Sequence, residues 1–259
     1  MSSSVKECYD WGVLGCGWLG QAFVRHITSA GGTAWGSARS DESLESIVRH
    51  GATAVAFNAH SGAFPKFPPC RHLLVAWPPQ VGAAETTRAI AQCRTNQTDW
   101  TVCISSTSVY PDSPGTYTEA LAQRRVSPHS GVCVLDIETA TAGPAVSHLR
   151  AGGLLGPKRP LFRNPSRAAK NPDKPLNVVH LDDVKSAILH CVEQQLSGAI
   201  NLVCPIIRTH RECREIKAIS PAKDIGSPPE LQHSRIVSSQ RILESGFVFQ
   251  HPDPAYFPD

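Results

Sequence analysis

Three glycines near the start of the chain, Gly15, Gly17 and Gly20 in "GVLGCGWLGQAF", have the spacing G-x-G-x-x-G. They follow an apolar run and open a segment of helical character, the setting in which that spacing carries chemistry. The first glycine permits a tight turn. The second lets the backbone come close to a pyrophosphate, and the third lets the helix pack closely on the strand. The helix start, with the backbone of Trp18 and Leu19, then directs N–H groups that lack intrahelical acceptors at the anion. Such a turn serves chain geometry alone or holds a dinucleotide. Its place in the first strand–helix unit favours the dinucleotide.

The end of the second strand bears on which dinucleotide. An Asp or Glu there holds the ribose 2′-hydroxyl of NAD, whereas an Arg accommodates the 2′-phosphate of NADP. The run "AWGSARSDE" places Arg39 and Ser40 at that point, with Asp41 and Glu42 slightly later at a helix start. NADP is therefore expected over NAD, against the alternative that Arg39 is plain solvated surface.

The elements that must position these residues alternate. "YDWGVLG" reads as a strand, "WLGQAFVRHITSA" as a helix, "TAWGSAR" as a strand and "DESLESIVRHG" as a helix with Asp41 as N-cap. "ATAVAF", "HLLVAW", a helix through "VGAAETTRAIAQC", and "DWTVCISS" follow. Short apolar strands separated by helices imply βαβ units and a doubly wound parallel sheet of the α/β Rossmann class. After residue 150 the rhythm loosens. "LDDVKSAILHCVEQQ" is a helix and "AINLVCP" a strand; "THRECREI" carries a capping box from Thr209 to Glu212, and "SSQRILESGF" is a short helix closed by Gly246. A dinucleotide-binding domain over residues 1–155 and a small C-terminal substrate lobe over 156–259 are expected.

Composition narrows the class. A net charge of +3 over 259 residues argues against a nucleic-acid partner. The opening "MSSSVKECYD" has neither the basic start nor the apolar core of a signal peptide, and no later run spans a bilayer, so a cytoplasmic protein without a membrane partner is expected. The nine cysteines are scattered and never form C-x-x-C, which fits reduced, mostly buried thiols. The eleven histidines show no metal-ligand spacing with cysteine or carboxylate, and no metal site is expected.

"GVLGCGWLG", "ISSTSVYPDSPGTYTE", "LRAGGLLGPKRP", "NVVHLDDVKSAI" and "SRIVSSQRILESGFVF", in this order, resemble the extended short-chain dehydrogenase/reductases of the NAD-dependent epimerase/dehydratase group. The similarity is greatest to an atypical branch that uses G-x-G-x-x-G. The resemblance covers nearly the whole chain and implies that "SSTSVY" ends the fifth strand beside the nicotinamide. It implies that Ser106 binds the substrate oxygen, that Tyr110 is catalytic or, as more often in the family, structural, and that Trp77 and Pro78 border the cofactor. For Trp77, core packing is an equal alternative. Catalytic members also carry Y-x-x-x-K, which occurs nowhere in this chain. Aligning Glu138 with the glutamate that follows the lysine puts Ser130 at the tyrosine position and Val134 at the lysine position. Neither can replace a phenol held by an ammonium. His129 is the nearest other proton donor.

Two further groups stand out. His180, Asp182 and Asp183 suggest a metal or acid/base site, but the resemblance implies a strand–helix junction capped by an aspartate. Lys158, Arg159, Arg163, Arg167, Lys170 and Lys174 lie in a basic loop that is either solvated or grips an anionic small-molecule substrate. Two functions follow. One is an NADP-dependent oxidoreductase or epimerase acting on a small carbonyl, hydroxyl or imine substrate, a homodimer by analogy with the family. The other is a dinucleotide-binding redox sensor or scaffold without turnover.

Overall fold

The computed structural model of the protein describes residues 8–61, 63–94, 98–163, 171–218 and 234–258. Five strands and three helices come first: β1 (Tyr9–Leu14), α1 (Trp18–Ser29), β2 (Ala34–Ala38), α2 (Asp41–Arg49), β3 (Thr53–Ala56), β4 (Cys70–Val75), α3 (Ala83–Arg94) and β5 (Trp100–Ser106). Then follow β6 (Gly115–Tyr117), α4 (Val134–Thr141), β7 (Val146–Ala151), β8 (Gly153–Leu155) and β9 (Val178–His180). The last described elements are α5 (Leu181–Glu193), β10 (Gly198–Leu202), α6 (His210–Ala218), β11 (Arg235–Val237) and α7 (Gln240–Glu244).

Seven strands form one sheet in the order β10-β7-β5-β4-β1-β2-β3. The pairs β1–β2, β2–β3, β1–β4 and β4–β5 are parallel. The chain builds outward from β1 through β2 to β3, then returns to place β4 on the other side of β1. That reversal makes the carboxyl ends of β1 and β4 a switch point, the place where doubly wound sheets open a crevice. Strands covered on both faces read as unbroken apolar runs. All five residues of β2 are buried, as are all six of β7. The α/β class and the doubly wound sheet expected from the sequence are both present.

Two compact units interleave along the chain, where the sequence suggests a single boundary after residue 155. The first comprises Met1–Ser105, Arg124–Leu149 and Ile188–Ala199. Its core gathers Leu14, Trp35, Phe67, Leu73 and Ile90. Trp35 stacks on Phe67 with ring centroids 5.4 Å apart, and Phe57 meets Phe67 edge-on at 5.2 Å. The second comprises Ser106–Gln123, Arg150–Ala187 and Ile200–Asp259. It holds two parallel strand pairs, β6–β11 and β8–β9, and a core that includes Leu176, Val178, Cys213, Ile216 and Phe257.

Several local expectations meet their structure here. The capping box forms, with the Thr209 N–H donating to Glu212 Oε2 (2.7 Å) and the Glu212 N–H donating to Thr209 Oγ1 (3.1 Å). Gly246 closes α7 at φ 89°. The N-cap of α2 is Ser40, not Asp41: Ser40 Oγ accepts the Ser43 N–H, and Asp41 and Glu42 lie in the first turn, where the helix dipole favours them. Neither Asp182 nor Asp183 caps α5. The His180 imidazole does so, its Nδ1 accepting the Asp182 N–H at 3.3 Å. All nine cysteines are free and seven are buried. Burial pushes the Cys16, Cys103, Cys204 and Cys213 thiols up to about 12, so they stay protonated and unreactive. No helix among the described residues is long and apolar enough to cross a membrane.

Candidate functional site: a cleft at the switch point

The first unit carries a cleft of about 260 Å³ at the carboxyl ends of its strands. Gly15, Cys16 and Gly17 line it from the β1 turn, and Ser37 to Ser40 with Ser43 from the end of β2 and the start of α2. The segment after β3, Phe57 to His60, and the segment after β4, Ala76 to Pro78 with Val81, complete the walls. Gly15, Gly17, Arg39, Trp77 and Pro78, all singled out in the sequence as cofactor contacts, thus meet around one space.

Each glycine has a distinct physical task. Gly15 sits at φ +90°, a conformation that L side chains rarely adopt, and a Cβ there would lie 2.7 Å from the Trp77 backbone nitrogen. A Cβ at Gly20 would lie 2.5 Å from the Gly15 carbonyl oxygen, so helix and turn touch. At Gly17, by contrast, a Cβ would meet nothing within 4 Å. The first and third glycines are dictated by the fold. At the second, the fold leaves the space open.

Neighbouring β2 tethers the turn. The Gly15 N–H donates to Ser37 Oγ (3.0 Å), and the Cys16 N–H donates to the Ser37 carbonyl (2.7 Å). Gly17 is the N-cap of α1, makes no side-chain cap hydrogen bond, and is followed by a first turn without an acidic residue. Trp18, Leu19 and Gly20 form that first turn, whose N–H groups have no intrahelical acceptors. The positive end of the helix dipole therefore faces a space with no acidic residue in its lining among the described residues, which suits a pyrophosphate. Arg39 and Ser40 are exposed at the cleft's rim, and β2 ends without an acid that would seek a ribose 2′-hydroxyl. The residues present fit a dinucleotide.

Trp77 stands at the junction of cleft and core. It lines the cleft, and its ring packs on the core with its Nε1–H donating to Thr86 Oγ1 at 3.3 Å. Asn58 and His60 had no signature in the sequence. Their segment folds on itself, with Asn58 Oδ1 accepting the His60 N–H at 3.1 Å and the Asn58 carbonyl accepting the Ser61 hydroxyl at 2.7 Å.

The "SSTSVY" residues do not line this cleft. In the first unit, the Ser105 hydroxyl donates to the carboxylate of Glu138, which is buried in α4. In the second, Ser106 Oγ accepts the Ser108 N–H at 3.1 Å, which leaves its own proton available to a ligand oxygen. Tyr110 requires correction as a catalytic candidate. It is fully buried, donates its hydroxyl proton to Asn201 Oδ1 (2.7 Å) and accepts from the Arg150 guanidinium (2.8 Å). Burial raises its phenol above the ordinary value, opposed by the neighbouring Arg150 cation. Its proton is already committed to Asn201 and its oxygen to buried Arg150, whose same nitrogen also donates to the Glu119 carbonyl at 2.9 Å.

Val134 begins α4 and is buried, while Ser130 Oγ is a buried atom without a hydrogen-bond partner among the described residues. His129 is exposed. Of the basic loop, Arg167 and Lys170 lie outside the described residues.

Strand order and cleft together define a Rossmann-type fold. It is shared with MoeE5, solved in complex with UDP-glucose and NAD (TM-score 0.70, 17% identity, 93% of each chain covered), and with vestitone reductase from alfalfa (TM-score 0.70, 18% identity, 95% of each chain). A UDP-N-acetylglucosamine 4-epimerase from Methanobrevibacter ruminantium M1 also superposes (TM-score 0.70, 14% identity, 95% of this chain and 94% of that one). At these identities the likeness is one of fold. In sequence, the chain is 32% identical over 166 residues to Protein YeeZ of Escherichia coli (strain K12), which covers 60% of this chain and 59% of the relative's length. No protein-family model matches the chain.

Proposed function

We propose that this chain is an NADP-dependent oxidoreductase or epimerase of the atypical short-chain dehydrogenase/reductase type, acting on a small carbonyl, hydroxyl or imine substrate. The observation that carries the reading is the open space at Gly17, set at an uncapped helix start beside the exposed Arg39. Gly17, Trp18, Leu19 and Gly20 would hold the pyrophosphate, Arg39 the 2′-phosphate, and Trp77 and Pro78 the wall toward the nicotinamide. The bound dinucleotide supplies a hydride donor or acceptor at nicotinamide C4. Ser106 would orient the substrate oxygen with the proton that its own hydrogen bond leaves free. With Tyr110 committed to Arg150, and Ser130 and Val134 where a Tyr/Lys pair would stand, strong general-acid help is missing. A substrate that arrives already protonated, such as an iminium, suits this site best.

The same deficit favours a second reading, a dinucleotide-binding sensor without turnover. Titration of the chain's fluorescence with NADPH and NADH tests the binding half of the proposal, and NADPH binding tighter than NADH is expected. A panel of ketones, nucleotide-sugars and imines tests the chemistry. Turnover that falls on Ser106→Ala and ignores Ser130→Ala supports the enzyme. Fast ketone reduction abolished by Ser130→Ala overturns the assignment of the missing pair.

A further inference from the structure

Within the second unit, three donor groups from separate parts of the chain converge. His180 ends β9, Asp182 lies in the first turn of α5, and His251 follows α7. Their ligand atoms all lie within 4.8 Å of one another. Asp182 Oδ2 sits 3.4 Å from His180 Nδ1 and 3.5 Å from His251 Nε2. The rings of the two histidines meet edge-on with centroids 4.1 Å apart.

The protonation state of His180 makes this grouping unusual. Its Nδ1 accepts the Asp182 N–H, so that nitrogen carries a lone pair and the proton resides on Nε2. The ring is 1% exposed, and Nε2 has no hydrogen-bond partner among the described residues. His180 Nδ1 and Asp182 Oδ2 lie 3.4 Å apart, and the Nδ1 lone pair is turned to the Asp182 N–H. A cation bound there would take the Nδ1 lone pair in place of the long 3.3 Å N–H contact and would be met by the Asp182 carboxylate.

We propose that His180, Asp182 and His251 bind a single divalent transition-metal ion, with Zn²⁺ as the leading occupant. Tetrahedral zinc with bonds of about 2.0–2.1 Å sets its donors roughly 3.3 Å apart, close to both measured edges of this triangle. Two imidazoles and one carboxylate suit Zn²⁺, Co²⁺ or Fe²⁺ far better than Mg²⁺ or Ca²⁺. Supporting contacts hold the donors in place. Buried Asp183 accepts the Gln250 N–H at 2.6 Å and the His251 N–H at 3.2 Å, which fixes the backbone of one ligand. Lys185 binds the other oxygen of Asp182 at 2.7 Å, leaving Oδ2 toward the histidines. Asp182 and His251 keep side-chain exposures of 37% and 23%, so an ion can enter and water or a substrate oxygen can complete its coordination. The nearby Lys185 ammonium opposes the ion, which predicts a site of moderate affinity.

The full chain, freed of metal with a chelator, is titrated with Co²⁺ and followed by visible absorption, with Zn²⁺ stoichiometry measured by equilibrium dialysis. One equivalent of each ion is expected, with the ligand-field bands of a nitrogen- and oxygen-bound Co²⁺. His251→Ala and Asp182→Asn, chosen because buried His180 is a risk to folding, should weaken binding by more than the roughly 10–100-fold typical of losing a group that only orients a ligand. Lys185→Met should tighten it. Absence of saturable binding, equal affinity in a folded His251→Ala variant, or thiolate charge-transfer bands that reveal cysteine ligands would overturn the proposal. None of these readouts depends on dinucleotide binding.

Discussion

A valine at position 17 would project its side chain into open space, because nothing lies within 4 Å of a Cβ built there. The folded chain should tolerate it. The main cost is the exchange of glycine for a poorer N-cap residue on α1, about 0.5–1 kcal/mol. Binding should suffer far more, since the isopropyl group would occupy the space where a pyrophosphate approaches the helix start. Losing two charge-assisted hydrogen bonds of about 1.5–3 kcal/mol each would weaken affinity by roughly 10²–10⁴-fold. Gly20→Ala supplies the contrast. Its Cβ would lie 2.5 Å from the Gly15 carbonyl oxygen, and such overpacking costs about 1–3 kcal/mol of stability. Denaturant melts of both variants, paired with NADPH fluorescence titrations, separate the two effects. A Gly17→Val protein of near-wild-type stability that binds NADPH within about tenfold of the parent would refute the reasoning.

Arg39→Ala should cost about 1.5–3 kcal/mol for NADPH and leave NADH nearly unchanged; equal losses would assign Arg39 to stability or to the adenine. Tyr110→Phe removes a hydroxyl that both Arg150 and Asn201 use inside the protein, so a stability loss of about 1–3 kcal/mol is expected with NADPH affinity intact. Burial first, then the Arg71 charge, lowers His72 from its ordinary 6.5, so the unfolded chain takes up a proton before the folded one does. Stability from this group is complete above that pH and falls as the medium is acidified through it. His72→Gln should flatten the acid limb of the denaturation midpoint, and an unchanged limb would exclude His72 as its source.

What the sequence disclosed was local. The β1 turn is legible because Gly15 answers to a positive φ, Gly20 to a contact five residues away and Gly17 to open space, and spacing records these although the Trp77 contact of Gly15 is distant. Strands buried on both faces are legible for the same reason, as in β2. The N-cap of α2 was misplaced by one residue, because Ser40 and Asp41 are both good caps and only the backbone decides between them. Tyr110 was ambiguous because its partners, Arg150 and Asn201, are distant in sequence and become neighbours only after folding. His251 was invisible as a companion of His180 and Asp182 for that reason too. Asn58 and His60 carried no pattern, since a loop side chain beside a cleft obeys no periodicity.

The two bonds from Ser37 to the β1 turn carry a consequence for how quickly and selectively a ligand is received. Glycine-rich turns are ordinarily the most freely moving part of a chain, and closing one on a ligand costs conformational entropy. Here that ordering is completed when β2 pairs with β1, before any ligand arrives. The turn is therefore tied to the sheet beneath it by two hydrogen bonds. A dinucleotide received there would be sorted by shape at first encounter instead of moulding the turn afterwards.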